Sequence, residues 1–241
     1  MVAKGNFNMN NNREKKYYLD LPKNALVILV GIPGSGKSTW AKSIAKDYTA
    51  IVSTDDINEE LNGKMVGETL PNTPEIFEEF YKRIRAGLED GKQVIADATS
   101  VSRYKRKDLY DIAKEYAVPI RVVVMKTSLE QSLKQNKQRI RYVPDNKVRM
   151  SFEQIRYGVL KWHRKLEGEQ IGELKEDNLR PGDEEYYQYL WNHGINTGKD
   201  KEERYPSEFK RIGWEIDDLR KEGYNAKEII ISQRPQKENE R

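Results

Sequence analysis

The chain of 241 residues is long enough for one α/β domain with an appendage, or for two small domains. It contains no cysteine and only two histidines, which excludes disulfide bonds, thiolate metal sites and a cysteine nucleophile, and argues against a protein-built zinc site. The formal net charge of +4 permits contact with nucleic acid without requiring it.

No apolar stretch approaches the roughly 18 residues of a membrane span, and the amino-terminal region lacks the apolar block of a secretion signal. We therefore expect a cytoplasmic protein that does not contact a membrane. Both ends are polar or charged and lack apolar periodicity. We expect residues 1–23 to form a partly disordered extension and the tail from about residue 234 to be flexible.

Apolar runs alternate with amphipathic stretches along the first two thirds of the chain. The predicted strands are 25–30, 50–54, 93–97 and 120–125. The predicted helices are 39–45, 74–89, 104–116, a stretch from 128, and 151–166. Such alternation indicates a parallel sheet flanked by helices, with the chemistry beyond the carboxyl ends of the strands.

The region after residue 167 is more charged, rich in tyrosine and interrupted by prolines. We predict helices at 183–191 and 207–222, and a short strand at 229–231 that can join the edge of the sheet. This divides the chain into an α/β domain at 24–167 and a mainly helical extension at 168–241.

Residues 31–38 fit the phosphate-binding pattern GxxxxGK[ST] between a predicted strand and a predicted helix. Glycines let the loop point its backbone N–H groups at phosphate oxygens, beside the positive end of the helix. Lys37 would reach the β and γ phosphates, and Ser38 would bind Mg²⁺. We assign to the nucleotide Gly31, Pro33, Gly34, Ser35, Gly36, Lys37, Ser38 and Thr39. A glycine-rich turn that binds nothing is the alternative, but it needs neither the lysine nor the hydroxyl.

Carboxylates follow two of the predicted strands. Neighbouring side chains on an extended segment point to opposite sides, so we assign Asp55 as general base and Mg²⁺ contact, and Asp56 as a helix cap or an outer contact of Mg²⁺. Asp97 holds Mg²⁺ through water or orients the acceptor, unless it is simply a turn residue. Thr99 follows as a hydroxyl contact to the acceptor.

Two basic stretches complete the candidate site. Residues 103–107 open a predicted helix with four cations, which is unfavourable for a helix N-terminus. Either a nearby anion offsets them, with Arg103 binding substrate, or they form a solvated face. Residues 134–144 resemble a lid, in which Arg139 is our first choice and Arg141 our second for contact with the phosphates. An ordinary charged surface helix is the competing interpretation.

The segments Gly31 to Thr39, Thr54-Asp55-Asp56, Asp97-Ala98-Thr99 and Asn136-Lys137-Gln138-Arg139 with Val143-Pro144 together resemble phage and bacterial polynucleotide 5′-hydroxyl kinase domains. The resemblance covers about residues 24–166. It implies a P-loop NTPase-type fold with ATP or GTP as donor and Mg²⁺ as cofactor. It also implies Asp55 as general base, Asp97 on the acceptor side and Arg139 as lid arginine, in a protein that can be phage-encoded and act in the host cytoplasm.

Two departures from the family pattern concern the acceptor. The arginine expected three residues after the base is Asn58, and the spacing from Arg139 to Val143-Pro144 is one residue short. The first hypothesis is a kinase for a nucleic-acid hydroxyl, either a 5′ end or a hydroxymethylated base. The second is a kinase for a nucleotide, nucleoside or sugar nucleotide, and the third is an NTP-binding switch or interaction module. The sequence leaves the oligomeric state open.

Overall fold

The computed structural model describes residues 21–63, 67–68, 72–157 and 208–232. Its strands are β1 (Leu26–Val30), β2 (Thr49–Ser53), β3 (Gly67–Glu68), β4 (Gln93–Asp97), β5 (Ile120–Lys126), β6 (Arg141–Tyr142) and β7 (Ala226–Ser232). Its helices are α1 (Lys37–Ile44), α2 (Thr54–Asn62), α3 (Pro74–Glu89), α4 (Arg103–Glu115), α5 (Leu129–Lys137), α6 (Asp145–Tyr157) and α7 (Glu208–Lys221). None of these described helices is both long enough and apolar enough to cross a membrane.

Five strands form one parallel sheet in the order β2–β4–β1–β5–β7. All five residues of β1 and of β4 are buried, which is typical of strands covered on both faces. The connections change direction at β1, and such a switch point is where open parallel sheets bind ligands. Because Ser53 pairs with Asp97, the start of α2 and the end of β4 lie at the same edge. The predicted α/β fold of the P-loop NTPase type is confirmed.

The sheet separates two apolar layers, since successive side chains of a strand point to opposite faces. On one face, Leu26, Ile28 and Val30 pack with residues of α3, α4, α6 and α7. On the other face, Val27 and Leu29 pack with a smaller group that includes Trp40 of α1. This packing fixes the sheet, and with it the loops at its carboxyl edge.

The segment 208–232 is part of this sheet. β7 pairs with β5 from Ala226 opposite Ile120 to Ser232 opposite Lys126, and α7 buries Ile212, Ile216 and Leu219 against the sheet. The predicted helix and strand of this region are therefore present. The predicted helix at 183–191 and the predicted domain boundary at 167 lie outside the described residues.

Most predicted elements are displaced by only one or two residues at their ends. The predicted second strand is wrong at Thr54, because the Ser53 side chain accepts a hydrogen bond from the Asp56 backbone N–H at 3.2 Å and so starts a helix there. The last helix of the α/β region begins at Asp145, six residues before its predicted start, and its predicted course after Tyr157 lies outside the described residues. The β3–β6 pair had no sequence prediction.

Candidate active site

The phosphate loop curls between β1 and α1 through two glycines with positive φ. Gly34 has a φ of 79°, and Gly36, the residue that caps α1, has a φ of 89°. Residues other than glycine rarely adopt such positive values. Gly34 also lies against α5, because a Cβ at this position would overlap the backbone oxygen of Ser132. The loop therefore has the shape predicted from the glycine pattern, and α5, the helix that follows β5, fixes one side of it.

The ammonium group of Lys37 is folded into this loop. Nζ donates to the backbone oxygen of Gly31 at 2.7 Å, to that of Ile32 at 3.0 Å and to the hydroxyl of Ser35 at 3.4 Å. Only 7% of the residue is exposed. Burial lowers the pKa of Lys37 from 10.5 to about 8, and the negative charges of Asp97 and Asp55 act in the opposite direction. The lysine is thus a buried cation within electrostatic reach of both predicted carboxylates.

Asp97 ends β4 and is buried beside the phosphate loop, with 6% of the residue exposed. Burial raises the pKa of its carboxyl group, whereas the charge of Lys37 and a hydrogen bond from Ser38 oppose this rise. The side chain is therefore directed into the site and is not an exposed turn residue. A hydroxyl and a carboxylate from neighbouring elements are oxygen ligands of the kind that Mg²⁺ prefers.

Asp55 and Asp56 lie in the first turn of α2, not on the preceding strand. Their carboxylates face the positive end of the helix, which favours negative charge there. The cap prediction for Asp56 is wrong, because the side chain of Ser53 supplies the cap. The argument from strand alternation does not apply on a helix, and the charges of both aspartates act on Asp97.

Two arginines of the lid segment reach the carboxylate of Asp55. Nη2 of Arg141 lies 2.5 Å from Oδ2, and Nη2 of Arg139 lies 3.3 Å from the same atom. Arg141 also donates from Nη1 to the backbone oxygen of Asp55 at 3.1 Å. It is the more buried of the two side chains, at 14% exposed against 35%. The shorter of these two contacts belongs to Arg141, which the sequence analysis ranked second, and contact of either arginine with phosphates stays a prediction.

Asn136 is a structural residue of the site to which the sequence analysis gave no role. Its buried amide group donates to the backbone oxygen of Val143 at 2.6 Å and accepts from the backbone N–H of the same residue at 3.0 Å. These two bonds close the turn that carries Arg139 and Arg141. The signal available in the sequence was an asparagine seven residues before Val143-Pro144. Thr127 was also missed, and it donates to the backbone oxygen of Ser35 at 3.1 Å.

Thr99, predicted to contact the acceptor, contributes to the phosphate loop through its backbone. Its carbonyl oxygen accepts from the N–H of Gly31 at 3.1 Å, which joins the loop after β4 to the phosphate loop. Arg103 is the first residue of α4, a helix capped by the side chain of Ser102. Its contact with substrate, like that of the Thr99 hydroxyl, stays a prediction.

The other cations of residues 103–107 have partners within the protein. Lys105 lies 4.3 Å from the centre of the Phe77 ring, and Lys107 pairs with Asp111 at 2.8 Å. Arg106 is buried and pairs with Glu215 of α7 at 2.6 Å. Within the described residues, these partners therefore already offset positive charge at the start of α4.

Asn58, which stands where the resemblance would place an arginine, is buried. Its side chain donates to Oδ1 of Asn72 at 3.1 Å and accepts from Nδ2 of Asn62 at 2.9 Å. Both the nitrogen and the oxygen of the Asn58 side-chain amide are therefore hydrogen-bonded within the protein. The position therefore supplies polar links within the fold and no positive charge for an acceptor phosphate.

The sequence matches the AAA domain family (AAA_33) over residues 26–158, more than half of its length. The chain belongs to the AAA domain family. This places it among P-loop kinase-like, nucleotide-binding proteins, as the resemblance predicted.

Two curated relatives are similar to part of this AAA domain protein. The L-seryl-tRNA(Sec) kinase of Methanococcus maripaludis is 33% identical over 135 residues, which cover 54% of this chain and 52% of the relative. The 2′,3′-cyclic-nucleotide 3′-phosphodiesterase of Rattus norvegicus is 32% identical over 111 residues, which cover 43% of this chain and 24% of the relative. The chain thus spans about half or less of the curated relatives that it matches.

Solved structures are also similar to this AAA domain protein. The Pnkp1/Rnl/Hen1 RNA repair complex contains a chain that is 22% identical with a TM-score of 0.46, covering 88% of this chain and 71% of that one. The APS kinase CysC of Mycobacterium tuberculosis, in complex with AMPPNP and APS, is 19% identical with a TM-score of 0.37, covering 48% and 70%.

Among the described residues, no group of three or more histidines, aspartates and glutamates is arranged to hold a metal ion by itself. Mg²⁺ in phosphotransferases is commonly bound by one or two protein oxygens together with phosphates. The pair of Ser38 and Asp97 fits that requirement. The metal assignments of Ser38, Asp55 and Asp97 stay predictions.

Proposed function

We propose that this AAA domain protein is a kinase that transfers the γ-phosphoryl group of ATP or GTP to a hydroxyl group of a nucleic acid, at a 5′ end or on a hydroxymethylated base. The observation that carries the proposal is the convergence of charge on the phosphate loop. Asp97, Asp55 and Arg139 all act electrostatically on the buried ammonium of Lys37, although they come from three separate segments of the chain. A loop that only turned the chain would need none of these groups.

The donor side follows from the phosphate loop. Backbone N–H groups of residues 31–38 and the N-terminus of α1 are suited to a polyphosphate, and Lys37 neutralises its β and γ groups. Ser38 and Asp97 would hold Mg²⁺, which neutralises charge on the transferring phosphate when it is bound. Because Lys37 already donates to backbone oxygens of its own loop, phosphate oxygens can replace these acceptors with a small movement of the side chain.

The acceptor side depends on Asp55. In the proposed reaction, the acceptor oxygen forms a bond to the γ phosphorus as the bond from that phosphorus to the bridging oxygen breaks. The hydroxyl proton passes to the carboxylate of Asp55, and the nucleoside diphosphate leaves. Arg139 and Arg141 are already beside this carboxylate, so triphosphate oxygens would compete with Asp55 for the same guanidinium groups. That exchange would bring positive charge to the phosphates and free the base.

Support for a nucleic-acid acceptor comes from the basic lid and from the relatives. The relative from Methanococcus maripaludis is named an L-seryl-tRNA(Sec) kinase, so its named substrate is a tRNA carrying a hydroxyl amino acid. The chain covers only half of that relative, and the nature of the acceptor is therefore part of the proposal.

One observation favours a second candidate, a kinase for a small molecule such as a nucleotide, nucleoside or sugar nucleotide. The buried, neutral Asn58 gives no clamp for an acceptor phosphate at the position where the 5′-hydroxyl kinase pattern has an arginine. An acceptor without that phosphate would not need the clamp.

The test is phosphoryl transfer from γ-labelled ATP and GTP. The acceptors are 5′-hydroxyl DNA and RNA, DNA with 5-hydroxymethylpyrimidines, and the corresponding monomers. We expect label on a polynucleotide, and faster labelling of monomers would establish the second candidate instead. Asp55→Asn should lower the transfer rate by about 10²–10⁴-fold because the base is lost. Glu59→Gln removes an exposed carboxylate from the same helix and should leave most activity.

Release of labelled phosphate without labelling of any acceptor would refute a kinase. It would favour the NTP-binding switch, most of all if Asp55→Asn and wild type released phosphate at the same rate. Retention of full transfer activity by Asp55→Asn would refute the assignment of this residue as base.

A further inference from the structure

A buried ion pair connects α7 to α4, close to the loop between β4 and α4. Arg106 donates from Nε to Oε2 of Glu215 at 2.9 Å and from Nη2 to Oε1 at 2.6 Å, a two-point arrangement of guanidinium and carboxylate. Each of the two residues is only 5% exposed. The hydroxyl of Tyr110 donates a third hydrogen bond to Oε2 at 2.8 Å. A pair with this geometry is rigid, because each partner is held at more than one atom.

The remaining nitrogen of the Arg106 guanidinium holds the loop itself. Nη1 donates to the backbone oxygen of Ser100 at 2.9 Å and to that of Val101 at 3.0 Å. Ser100 has φ 42°, a value that residues other than glycine adopt at a cost and keep only where surrounding contacts enforce it. Arg106 provides two of those contacts.

This loop begins immediately after Asp97 and contains Thr99, whose carbonyl oxygen accepts from the N–H of Gly31. An unbroken series of contacts thus runs from Glu215 through Arg106 and the loop to the first residue of the phosphate-binding motif. A buried ion pair contributes little to stability compared with apolar residues of the same volume. Removal of one partner alone, in contrast, is destabilising, because it leaves a buried charge without its counter-charge.

We infer that Glu215 is a positioning residue of the active site, which acts through Arg106 to fix the loop that carries Asp97 and Thr99. This inference rests on the proposed kinase function and assigns to α7 a role in placing the acceptor. Loss of the Glu215 carboxylate leaves the Arg106 guanidinium buried without its counter-charge. The guanidinium then moves toward water, and the carbonyl groups of Ser100 and Val101 lose their donor.

The chain offers a matched control on the same two helices. Glu222, directly after α7, pairs with Lys114 of α4 at 2.6 Å, and its side chain is half exposed. Glu222→Gln therefore removes one carboxylate that links α7 to α4 without touching the loop. Comparison with Glu215→Gln separates loop positioning from the general attachment of α7.

The experiment uses the full chain and two measurements. Hydrogen–deuterium exchange is followed in peptides that cover residues 97–103 and 28–36, and steady-state transfer is measured for donor and acceptor separately. For Glu215→Gln we expect faster exchange in both peptides and a fall of about tenfold to a hundredfold in kcat/KM for the acceptor, with a smaller change in the KM for ATP. For Glu222→Gln we expect wild-type exchange in both peptides and wild-type kinetics.

Wild-type exchange of the loop in a folded Glu215→Gln protein would overturn the inference, as would equal effects of the two glutamate variants. If Glu215→Gln does not fold, Tyr110→Phe decides, since it removes only the hydroxyl that donates to Glu215. A folded Tyr110→Phe protein with faster exchange in residues 97–103 supports the inference, and one with wild-type exchange overturns it. If the wild type labels no acceptor, the proposed function fails, while the exchange comparison still tests the link from α7 to the loop.

Discussion

The buried lysine of the phosphate loop gives a prediction that can be worked out quantitatively. Burial lowers the pKa of Lys37 from 10.5 to about 8, so the ammonium form is disfavoured in the folded protein by about 3 kcal/mol. Below pH 8 the lysine is charged in both folded and unfolded chains, and folding carries this full cost. Between about pH 8 and 10.5 the unfolded chain still binds the proton that the folded protein has released. The free energy of unfolding therefore rises with pH across that window.

The perturbation is Lys37→Met, which keeps the length of the side chain and removes the titrating group. It also removes the hydrogen bonds to Gly31 and Ile32, and the weakening of these bonds when the ammonium loses its proton is part of the same titration. We expect the stability of wild type relative to the variant, measured by urea unfolding, to increase by about 3 kcal/mol from neutral pH to pH 10.5. Lys42→Met, at an exposed lysine of the same helix, is the matched control.

Triphosphate should reverse the effect of burial on Lys37. Phosphate oxygens beside the ammonium favour its charged form, so ATP binding at pH 9 should take up a proton. Calorimetry in two buffers with different ionisation enthalpies measures this uptake, and Lys37→Met should abolish it. Parallel stability curves for wild type and Lys37→Met, together with no proton uptake, would refute the reasoning. Such a result would mean that water reaches the ammonium group in the folded protein.

Two further predictions concern α5, through its contact with Gly34 and through the turn that Asn136 closes after it. Gly34→Ala should lower nucleotide affinity at least tenfold, because the added methyl group overlaps a backbone oxygen of α5. The control is Gly63→Ala, at a glycine with nearly the same φ but with open space around it. This control should lower only the stability, by the backbone strain of about 1–2 kcal/mol. Isothermal calorimetry and thermal unfolding distinguish the two variants, and equal losses of affinity would contradict this account. Asn136→Asp should destabilise the protein by about 1–3 kcal/mol in urea unfolding, since it removes the donor to the Val143 oxygen, whereas Asn146→Asp on the exposed start of α6 should have little effect. A wild-type urea midpoint for Asn136→Asp would show that this bond does not hold the lid turn.

Local signals account for the elements that were predicted well. The helix predicted at 74–89 is present with the same bounds, because proline occupies its first turn and apolar residues recur at helical spacing on its buried face. The fully apolar β1 and the glycine pattern after it were equally clear. Where a prediction was displaced, as at Thr54 and Asp55, a single side-chain cap decided between strand and helix.

Contacts between distant segments were beyond prediction. Asp55 meets Arg139 and Arg141 from more than 80 positions away, and Glu215 reaches Arg106 across 109 positions. Each of these residues is an ordinary charged residue in its own segment. Only the folded chain distinguishes a partner of the active site from a solvated surface charge.

The sequence by itself determined the chemistry that is local along the chain: a phosphate loop between a buried strand and a helix, carboxylates after two further strands, and an alternation of elements that requires a parallel sheet. These follow from short-range sterics, hydrogen bonding and periodicity, which neighbouring residues fix. The tertiary structure alone decided the full length of the pairing between β7 and β5, the closer approach of Arg141 than of Arg139 to Asp55, and the pairing of Glu215 with Arg106. The physical reason is that burial and pairing of charges depend on which distant segments pack together, and that is settled by the whole core.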